Sequence, residues 1–461
     1  MSGTFPRWGA VCAVLLSLVL VLGCSQAVEP TASPEESAVS VDELLADLDA
    51  LGAVRSKALF GASAIPKPTG GCFTAEELAA YLSGIRESLA SYAAAAASNS
   101  PYLVMPVRLK AGGQSGLMWV PVSLGRTLSV PIIAYQHGTR VYRENAPSRF
   151  NSNPLSVLSN RDVSGAFQNY VECVAGALMA SAGYIVVMPD YPGFGDSRAP
   201  HPYVHLSLGE SVRVLVGRAR TVLASLWGAA RANNRLYLIG YSEGGFATLA
   251  AAKRFQETGM PVTAAVPCAG SYDLSGTMVR EVLSGEEAPV PYYIPFTVFG
   301  YASVYRSAES AAWNYAALLK PPLPAILDTL FGGAYSGAEV SAAMPSKVLR
   351  ELITDTLATE LAAGTGTVYG RLLENTAFRS GWIPGMILQM IHSPEDGIVP
   401  VENTLAAYEA FKFLPNVLPP IFVPPVPLPE ALSDLADVHL FAYPTALLAG
   451  FTFIDGVESR F

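Results

Sequence analysis

The segment Gly240-Tyr241-Ser242-Glu243-Gly244 has the residue types and spacing of a nucleophilic serine site. An apolar run at residues 236–239 precedes it, and a segment rich in small, helix-compatible residues follows it. A serine in the pattern G-x-S-x-G lies on a tight turn from a strand into a helix, which exposes its hydroxyl group at the edge of a sheet. The chain has 40 glycines, so the pattern alone could be an incidental glycine-rich connection. The strand, turn and helix signals around it favour the nucleophile.

A serine hydroxyl needs a base within hydrogen-bond reach, and that base needs a carboxylate to orient it. Where a serine lies on such a turn, the acid and then the histidine follow it along the chain. Only His392 and His439 follow Ser242. His392 ends an apolar run, directly before the turn that contains Asp396, whereas His439 lies in a late loop before the last helical stretch. Order and position therefore predict Asp396 as the acid and His439 as the base.

Alternatives remain open for both roles. Asp396 precedes a glycine and is also typical of a plain turn residue, in which case Glu395 or Asp355 would orient the base. His439 could instead be the neighbour of a helix cap, which would leave no good base. The other histidines are expected to order the loops that carry them: His137, His201 and His205.

Two backbone N–H groups are predicted to bind the oxyanion that forms when the serine attacks. One belongs to Glu243, the residue after the nucleophile. The other belongs to Thr139, in the loop Gln136-His137-Gly138-Thr139 that follows an apolar run at 130–135. The glycine of this loop permits the bend that the N–H of Thr139 requires.

Strand and helix patterns alternate along the chain up to residue 276, which predicts an α/β fold with a mostly parallel central sheet and helices on both faces. Continuous apolar runs at 130–135, 184–188 and 262–266 predict strands buried on both faces. Runs at 102–109 and 117–124 predict a hairpin with a longer loop. Several chemically capable residues follow strand ends and should share one rim of the sheet: His137, Asp190, Ser242 and Cys268.

The alternation is interrupted once. Residues 51–276 form the first part of the predicted core, residues 383–461 form its last part, and residues 277–382 form a helical insertion that covers the rim as a lid. The insertion begins with a cluster of aromatic residues, which form either its own core or the wall of an apolar pocket for an acyl chain. These residues are Tyr292, Tyr293, Phe296, Phe299, Tyr301, Tyr305 and Trp313.

Residues 1–24 have the pattern of a lipoprotein-type signal peptide. Arg7 supplies the positive start, residues 11–22 are apolar but too short for a membrane span, and Val21-Leu22-Gly23-Cys24-Ser25 resembles a lipobox, in which the cysteine is lipidated. Residues 25–50 predict a flexible tether. The protein is therefore expected to be exported and held at the bacterial cell envelope by an N-terminal acyl anchor. An ordinary signal peptide with an incidental cysteine is the alternative, and no other apolar run predicts a transmembrane helix.

The composition argues against several partners. A net charge of −9, without a basic patch, argues against nucleic acid. Neither a C-x-x-C motif nor a Cys/His cluster occurs, which argues against structural zinc. Outside the leader, three cysteines allow at most one disulfide and leave one buried thiol: Cys72, Cys173 and Cys268.

Five motifs together resemble the α/β-hydrolase superfamily, and within it the chain is similar to the secretory lipase family and related bacterial esterases. They are HGT at 137–139, DYPGFGDS at 190–197 with HPYVH behind it, GYSEGG at 240–245, AGSYDLSGTM at 269–278 and HSPEDGIVP at 392–400. The resemblance covers the chain from about residue 102 to the C-terminus, including the insertion. It implies a Ser-Asp-His esterase that acts through an acyl-enzyme and uses neither metal nor cofactor.

The sequence therefore predicts an exported, lipid-anchored carboxylic ester hydrolase, a lipase or esterase, with an ester or lipid as its substrate. A serine peptidase on the same fold is the nearest alternative. A catalytically idle hydrolase fold that serves as a surface-binding lipoprotein is the alternative from another class. The acyl chain length, the alcohol moiety and the oligomeric state do not follow from the sequence.

Overall fold

The computed structural model describes residues 102–123, 127–226, 230–425 and 438–461. The predictions for the signal peptide at 1–24 with Cys24, for the tether at 25–50, for the start of the core at 51–101 and for the cysteine Cys72 lie outside these residues.

In the part of the chain that the structure describes, the core is one eight-stranded sheet with the strand order β1-β2-β4-β3-β5-β6-β7-β8. β1 pairs antiparallel with β2, and β2 pairs antiparallel with β4, whereas the other neighbours are parallel. The predicted, mostly parallel sheet is therefore confirmed. The strands are β1 Leu103–Ala111, β2 Gln114–Val122, β3 Ser129–Gln136, β4 Ile185–Pro189, β5 Arg231–Tyr241, β6 Ala264–Cys268, β7 Ile387–His392 and β8 Val417–Phe422.

The central strands are buried because their sequences are continuous apolar runs. Every residue of β4 and of β6 is buried, as expected for parallel strands covered by helices on both faces. β8 lies at the edge of the sheet and contains Pro419 and Pro420. Proline lacks the N–H that a central strand needs, so an edge position suits this strand.

The hairpin between β1 and β2 is tighter than predicted. Its turn consists of Gly112 and Gly113, with φ angles of 58° and 74°. Two successive positive φ values are typical of a two-residue turn, and glycine adopts them without steric cost. The prediction of a longer loop is wrong because Gln114, Ser115 and Gly116 already belong to β2 and pair with residues of β1.

Helices surround the sheet. α2 and α3 pack against each other, α1 packs against β2 and β4, and α13 packs against β5, β6 and β7. In chain order the helices are α1 Val163–Ser181, α2 Leu208–Ser225, α3 Glu243–Glu257, α4 Thr277–Leu283, α5 Tyr293–Tyr305, α6 Tyr315–Leu318, α7 Leu323–Leu330, α8 Gly337–Ala342, α9 Leu349–Leu352, α10 Asp355–Ala363, α11 Gly366–Asn375, α12 Glu402–Phe411 and α13 Val438–Glu458.

The chain between β6 and β7 is helical, from α4 to α11, and ends in a short 3-10 helix at Ala377–Arg379. Two isolated bridges, Glu287 to Val348 and Leu319 to Ile353, connect its segments. The predicted helical insertion is therefore present between these strands. Its outer boundaries at 277 and 382 stay a prediction.

The last helix is longer than predicted, because α13 begins at Val438 and continues to Glu458. His439 therefore lies in the first turn of a helix, and its predicted placement in a loop is wrong. By length and composition α13 could cross a membrane, but more than half of its most apolar 18-residue stretch is buried inside the protein. It packs against the central strands, and this packing explains its apolar sequence.

The two cysteines in the described part of the chain, Cys173 and Cys268, are buried free thiols. They do not form a disulfide with each other, although the sequence allowed that pairing.

Two glycines of α13 give a stability prediction with an internal control. A Cβ atom on Gly450 would lie 2.8 Å from Cδ1 of Ile239 in β5, whereas a Cβ atom on Gly456 would meet nothing within 4 Å. Gly456→Ala gains helix propensity and should be neutral or stabilising by up to about 1 kcal/mol. Gly450→Ala also overpacks the core and should be about 1–3 kcal/mol less stable than Gly456→Ala. Chemical denaturation of both variants measures this difference, and equal stabilities would contradict the close packing of α13 on β5.

Candidate active site

Ser242 lies between the end of β5 and the start of α3, with backbone angles of φ 61° and ψ −123°. Positive φ is unfavourable for a residue with a side chain, and such conformations persist where the surrounding structure imposes them. The N–H of Ser242 donates to the carbonyl of Cys268 at the end of β6, at 3.0 Å. The serine is 8% exposed. This is the strained strand-to-helix turn that the sequence predicts.

Glycines flank the serine because other backbones approach closely. A Cβ atom on Gly244 would lie 2.0 Å from the carbonyl oxygen of Gln136 in β3. A Cβ atom on Gly240 would lie 2.6 Å from the same oxygen. Neither glycine has a positive φ, so the steric requirement comes from the neighbouring strand. The positive φ belongs to the serine itself.

The structure brings the predicted acid and base into contact. Nδ1 of His439 lies 2.6 Å from Oδ2 of Asp396, although 43 residues separate them in the chain. The other carboxylate oxygen of Asp396 accepts the N–H groups of Ile398 at 3.0 Å and Val399 at 2.8 Å. Asp396 follows β7 and His439 lies on α13, so two separate elements meet at this rim.

The surroundings of Asp396 stabilise its ionised form. Burial raises the pKa of the carboxyl group, but the charge of His439 and the hydrogen bonds from His392 and His439 outweigh burial and hold the pKa well below its usual range. A carboxylate that stays ionised can orient an imidazole and stabilise the imidazolium. Neither alternative acid is placed for this role. Glu395 is exposed, and the exposed Asp355 on α10 accepts from Arg350 at 2.8 Å.

His392, the other histidine considered as a base, supports the acid instead. Its Nε2 lies 2.9 Å from the carbonyl of Val399 and 3.3 Å from Oδ2 of Asp396. Its Nδ1 lies 2.6 Å from the hydroxyl of Thr404. With the proton on Nε2, His392 donates toward Val399 and Asp396, and Thr404 donates to Nδ1. Its position at the end of β7, four residues before Asp396, was the sequence signal for this role.

Tyr241 connects the predicted base, His439, to the predicted nucleophile, Ser242. It directly precedes Ser242, its hydroxyl donates to the carbonyl of His439 at 2.6 Å, and its ring lies 4.9 Å from the imidazole. The residue next to the nucleophile thus holds the first turn of α13. This contact was not foreseen from the sequence.

The loop that carries Thr139 is fixed by buried polar groups. His137 has Nδ1 2.7 Å from the carbonyl of Gly138 and Nε2 3.1 Å from the carbonyl of Asp190. Burial and the nearby charge of Arg140 lower the pKa of His137 to about 3, so the imidazole is neutral and donates to one of these carbonyls at a time. This geometry agrees with the loop-holding role expected for His137. The hydroxyl of Thr139 lies 3.4 Å from that of Tyr203.

Glu243 contributes more than the predicted N–H group. Its Oε1 lies 2.6 Å from Nε2 of His201, whose Nδ1 lies 2.9 Å from the carbonyl of Pro192. Both side chains are buried, with exposures of 1% for Glu243 and 2% for His201. The second oxygen, Oε2, is buried without a hydrogen-bond partner. No sequence signal predicts this pair, because the two residues lie 42 positions apart on different elements.

The other rim residues have structural roles. Asp190 accepts from the hydroxyl of Ser115 at 2.5 Å and from the N–H of Ser148 at 2.8 Å. Cys268 is buried, and burial raises the pKa of its thiol, which makes it a poor nucleophile. His205 has Nδ1 2.8 Å from the hydroxyl of Ser207 and Nε2 2.9 Å from the hydroxyl of Tyr305, as expected for a loop-ordering histidine.

Ser242 and Glu243 line a cavity of about 100 Å³ whose remaining wall is mostly apolar. The wall comes mainly from α4, α5, α10 and α11 of the insertion, with Ile398 and Val399 from the loop after β7. The cavity-lining residues of the insertion include Val279, Val282, Val298, Leu357, Leu361, Val368 and Leu372.

The aromatic cluster of the insertion divides between the two roles that the sequence allowed. Tyr293, Tyr301 and Trp313 line the cavity. Phe296 stacks on Phe331, with 4.5 Å between the ring centroids, and belongs to the packing of the insertion.

Within the described ranges, no group of three or more His, Cys, Asp or Glu side chains could hold a metal ion.

The arrangement of strands, elbow and insertion is that of an α/β-hydrolase fold, and solved structures share it. A protein of Legionella pneumophila described as a proposed hydrolase is 24% identical, with a TM-score of 0.62 over 80% of this chain and 95% of that chain. The ligand-bound form of the rice cell wall degrading esterase LipA of Xanthomonas oryzae is 19% identical, with a TM-score of 0.62 over 79% of this chain and 93% of that chain. No protein-family model and no curated protein matches the sequence. At sequence identities of 24% and 19%, the structural similarity shows that the fold is shared.

The contact between Asp396 and His439 gives a direct test of the site. Asp396→Asn keeps the size of the side chain but removes the charge that stabilises an imidazolium at His439. The turnover number for an ester substrate should fall about 10³–10⁴-fold, as for loss of an orienting carboxylate elsewhere. Steady-state kinetics measure it, with the exposed neighbour Glu395→Gln as the matched control, expected within about twofold of the unmodified protein. Equal kinetics for both variants would remove Asp396 from the site.

Proposed function

We propose that this protein is a carboxylic ester hydrolase that acts through an acyl-enzyme on Ser242. The observation that carries the proposal is the contact between Asp396 and His439, held by Tyr241 against the strained turn of Ser242. Nucleophile, base and orienting acid are the three groups that serine acyl transfer requires. Ester hydrolysis is also the activity named for the neighbour LipA.

The reaction follows from the roles of these groups. The Ser242 hydroxyl attacks the ester carbonyl while His439 takes its proton, and Asp396 stabilises the imidazolium. The N–H groups of Thr139 and Glu243 bind the oxyanion of the tetrahedral intermediate. His439 then returns the proton to the departing alcohol, which leaves an acyl ester on Ser242. A water molecule, activated by the same histidine, hydrolyses that ester and releases the carboxylic acid.

The cavity beside Ser242 supports an ester with an apolar acyl chain. Apolar walls with a few polar groups at the reacting centre are typical of sites for apolar ligands. Each methylene group buried in such a wall contributes about 0.8 kcal/mol, or about fourfold in affinity. The insertion therefore supplies the part of the site that recognises the acyl chain.

Replacing Ser242 by alanine tests the reaction. Ser242→Ala should lower the turnover of p-nitrophenyl esters by about 10⁴-fold or more, because no covalent intermediate can form. A fluorophosphonate should label the unmodified protein and fail to label the variant. Unchanged turnover in the variant would refute the proposal, and faster cleavage of a matched anilide than of the ester would favour a peptidase. No labelling and no turnover in the unmodified protein would favour an idle, surface-binding fold.

Filling the cavity tests the acyl-chain assignment. Leu361 lines the cavity from α10, and its neighbour Ala362 is exposed on the same helix. Leu361→Trp should shift the preference toward p-nitrophenyl esters with shorter acyl chains. The kcat/KM for a dodecanoyl ester should fall at least about tenfold, because excluding two methylene groups from the cavity already costs about sixteenfold. The kcat/KM for a butanoyl ester should change little. Ala362→Trp is the control and should keep the chain-length profile. The same chain-length profile for both variants would indicate that the acyl chain does not bind in this cavity.

We also propose that the protein is exported and tethered to the bacterial cell envelope through lipidated Cys24. The support is the sequence of the leader alone, with its apolar stretch ending in Gly23-Cys24. In a bacterial host, the full chain should incorporate a labelled fatty acid and fractionate with membranes, and Cys24→Ala should lose both properties. Incorporation of the labelled fatty acid into Cys24→Ala would contradict lipidation at Cys24. Export without a label would indicate an ordinary signal peptide.

A further inference from the structure

The orientation of the peptide group between Gly138 and Thr139 determines where the N–H of Thr139, one of the two proposed oxyanion donors, points. Because a trans peptide is planar, the carbonyl of Gly138 and the N–H of Thr139 point in opposite directions. Any group that fixes this carbonyl therefore also aims the N–H. Nη1 of Arg140 donates to the carbonyl of Gly138 at 3.3 Å and to the carbonyl of Thr139 at 3.1 Å. One guanidinium nitrogen thus holds the peptide on both sides of Thr139.

A carboxylate from another element completes this arrangement. Glu172 lies on α1, and its Oε1 accepts the N–H of Gly138 at 3.2 Å. Its Oε2 lies 2.5 Å from Nη2 of Arg140. Both side chains are 1% exposed. The ion pair therefore contacts the N–H of Gly138, the carbonyl of Gly138 and the carbonyl of Thr139, which leaves the peptide little freedom to rotate.

Stability alone is a weak reason for such a pair. Removing two charges from water is costly, and well-packed apolar residues in the same place are often as stabilising or more so. Neither Arg140 nor Glu172 lines the cavity beside Ser242, so neither is placed to bind substrate. Their hydrogen bonds converge on the backbone of the oxyanion loop.

We infer that the buried Arg140–Glu172 ion pair positions the Thr139 N–H for the oxyanion, so that both residues are positioning residues for catalysis. The inference rests on the proposed ester hydrolysis. A donor that is already aimed when the charge develops lowers the transition state without reorganisation. A misoriented Thr139 N–H should therefore lower kcat and leave KM nearly unchanged, because the oxyanion exists only after Ser242 has attacked.

The experiment compares Arg140→Gln, Glu172→Gln and the double variant in the full chain. Glu172→Gln keeps an oxygen that can accept the N–H of Gly138 but no longer holds Arg140 by charge. Each single variant should lower kcat about 10–100-fold, up to the effect of losing one oxyanion donor, with KM within about twofold. The inhibition constant of an alkyl trifluoromethyl ketone, which forms an oxyanion on Ser242, should rise by the factor by which kcat/KM falls.

The double variant separates positioning from stability. Each single variant leaves one buried charge without its partner and should lower the melting temperature, whereas the double variant has no unpaired charge and should recover part of that loss. Its kcat should stay low, because the neutral His137, whose Nδ1 lies 2.7 Å from the Gly138 carbonyl, does not also hold the Gly138 N–H and the Thr139 carbonyl as the ion pair does. Arg140→Lys, which keeps the charge but has one nitrogen, should also lower kcat and serves if the neutral variants do not fold. Glu458→Gln, which breaks a remote ion pair with Arg235, should change stability and leave kcat unchanged.

Two results would overturn the inference. One is a double variant that regains kcat together with its melting temperature, which would make the pair purely structural. The other is a set of folded variants with kcat within twofold of the unmodified protein. Failure of the proposed function gives a different result, namely no Ser242-dependent ester turnover in the unmodified protein, and the inference would then fall with it.

Discussion

The rest of the site depends on a serine whose backbone is held at a positive φ between a strand and a helix. A strained residue of this kind costs on the order of 1–3 kcal/mol, so its neighbours must hold it. Three parallel strands do so together. β5 carries Ser242, β3 presses against Gly244, and β6 accepts the N–H of Ser242 through Cys268. The position of the nucleophile is therefore a property of the centre of the sheet.

The proposed acid and base, Asp396 and His439, are brought to this rim of the sheet by long-range packing. Asp396 is fixed by its own loop and by His392 at the end of β7, whereas His439 comes from α13, which packs on β5, β6 and β7. Because Tyr241 contacts His439, the chain on one side of the nucleophile is tied to the helix that carries the base. On the other side, Glu243 is tied through His201 to Pro192 in the loop after β4. The two neighbours of Ser242 thus link it to two distant segments.

Much of this architecture follows from the sequence, because its strands are continuous apolar runs between glycine and proline signals. Chain order and position along the predicted elements led to Asp396 and His439 as a pair, and the structure brings them into contact. Contacts that depend on tertiary packing could not be predicted, such as the pair of His201 with Glu243 or the contact of Tyr241 with His439. The helical pattern that the sequence shows from Leu440 extends back to Val438 in the structure, which places His439 in the helix. The hairpin loop was overestimated because strand pairing, and not the local glycine content, decides which residues join a strand.

The helical insertion leaves the sheet after β6 and returns at β7, its immediate neighbour. Its two attachment points therefore belong to adjacent strands, and the sheet order does not depend on what lies between them. The groups proposed for the chemistry all come from outside the insertion, whereas most of the cavity wall comes from within it. Under the proposed function, substrate preference and reaction chemistry are encoded in separable stretches of the chain. Under that function, substitutions within the insertion would change which esters are accepted while the proposed reacting groups stay the same.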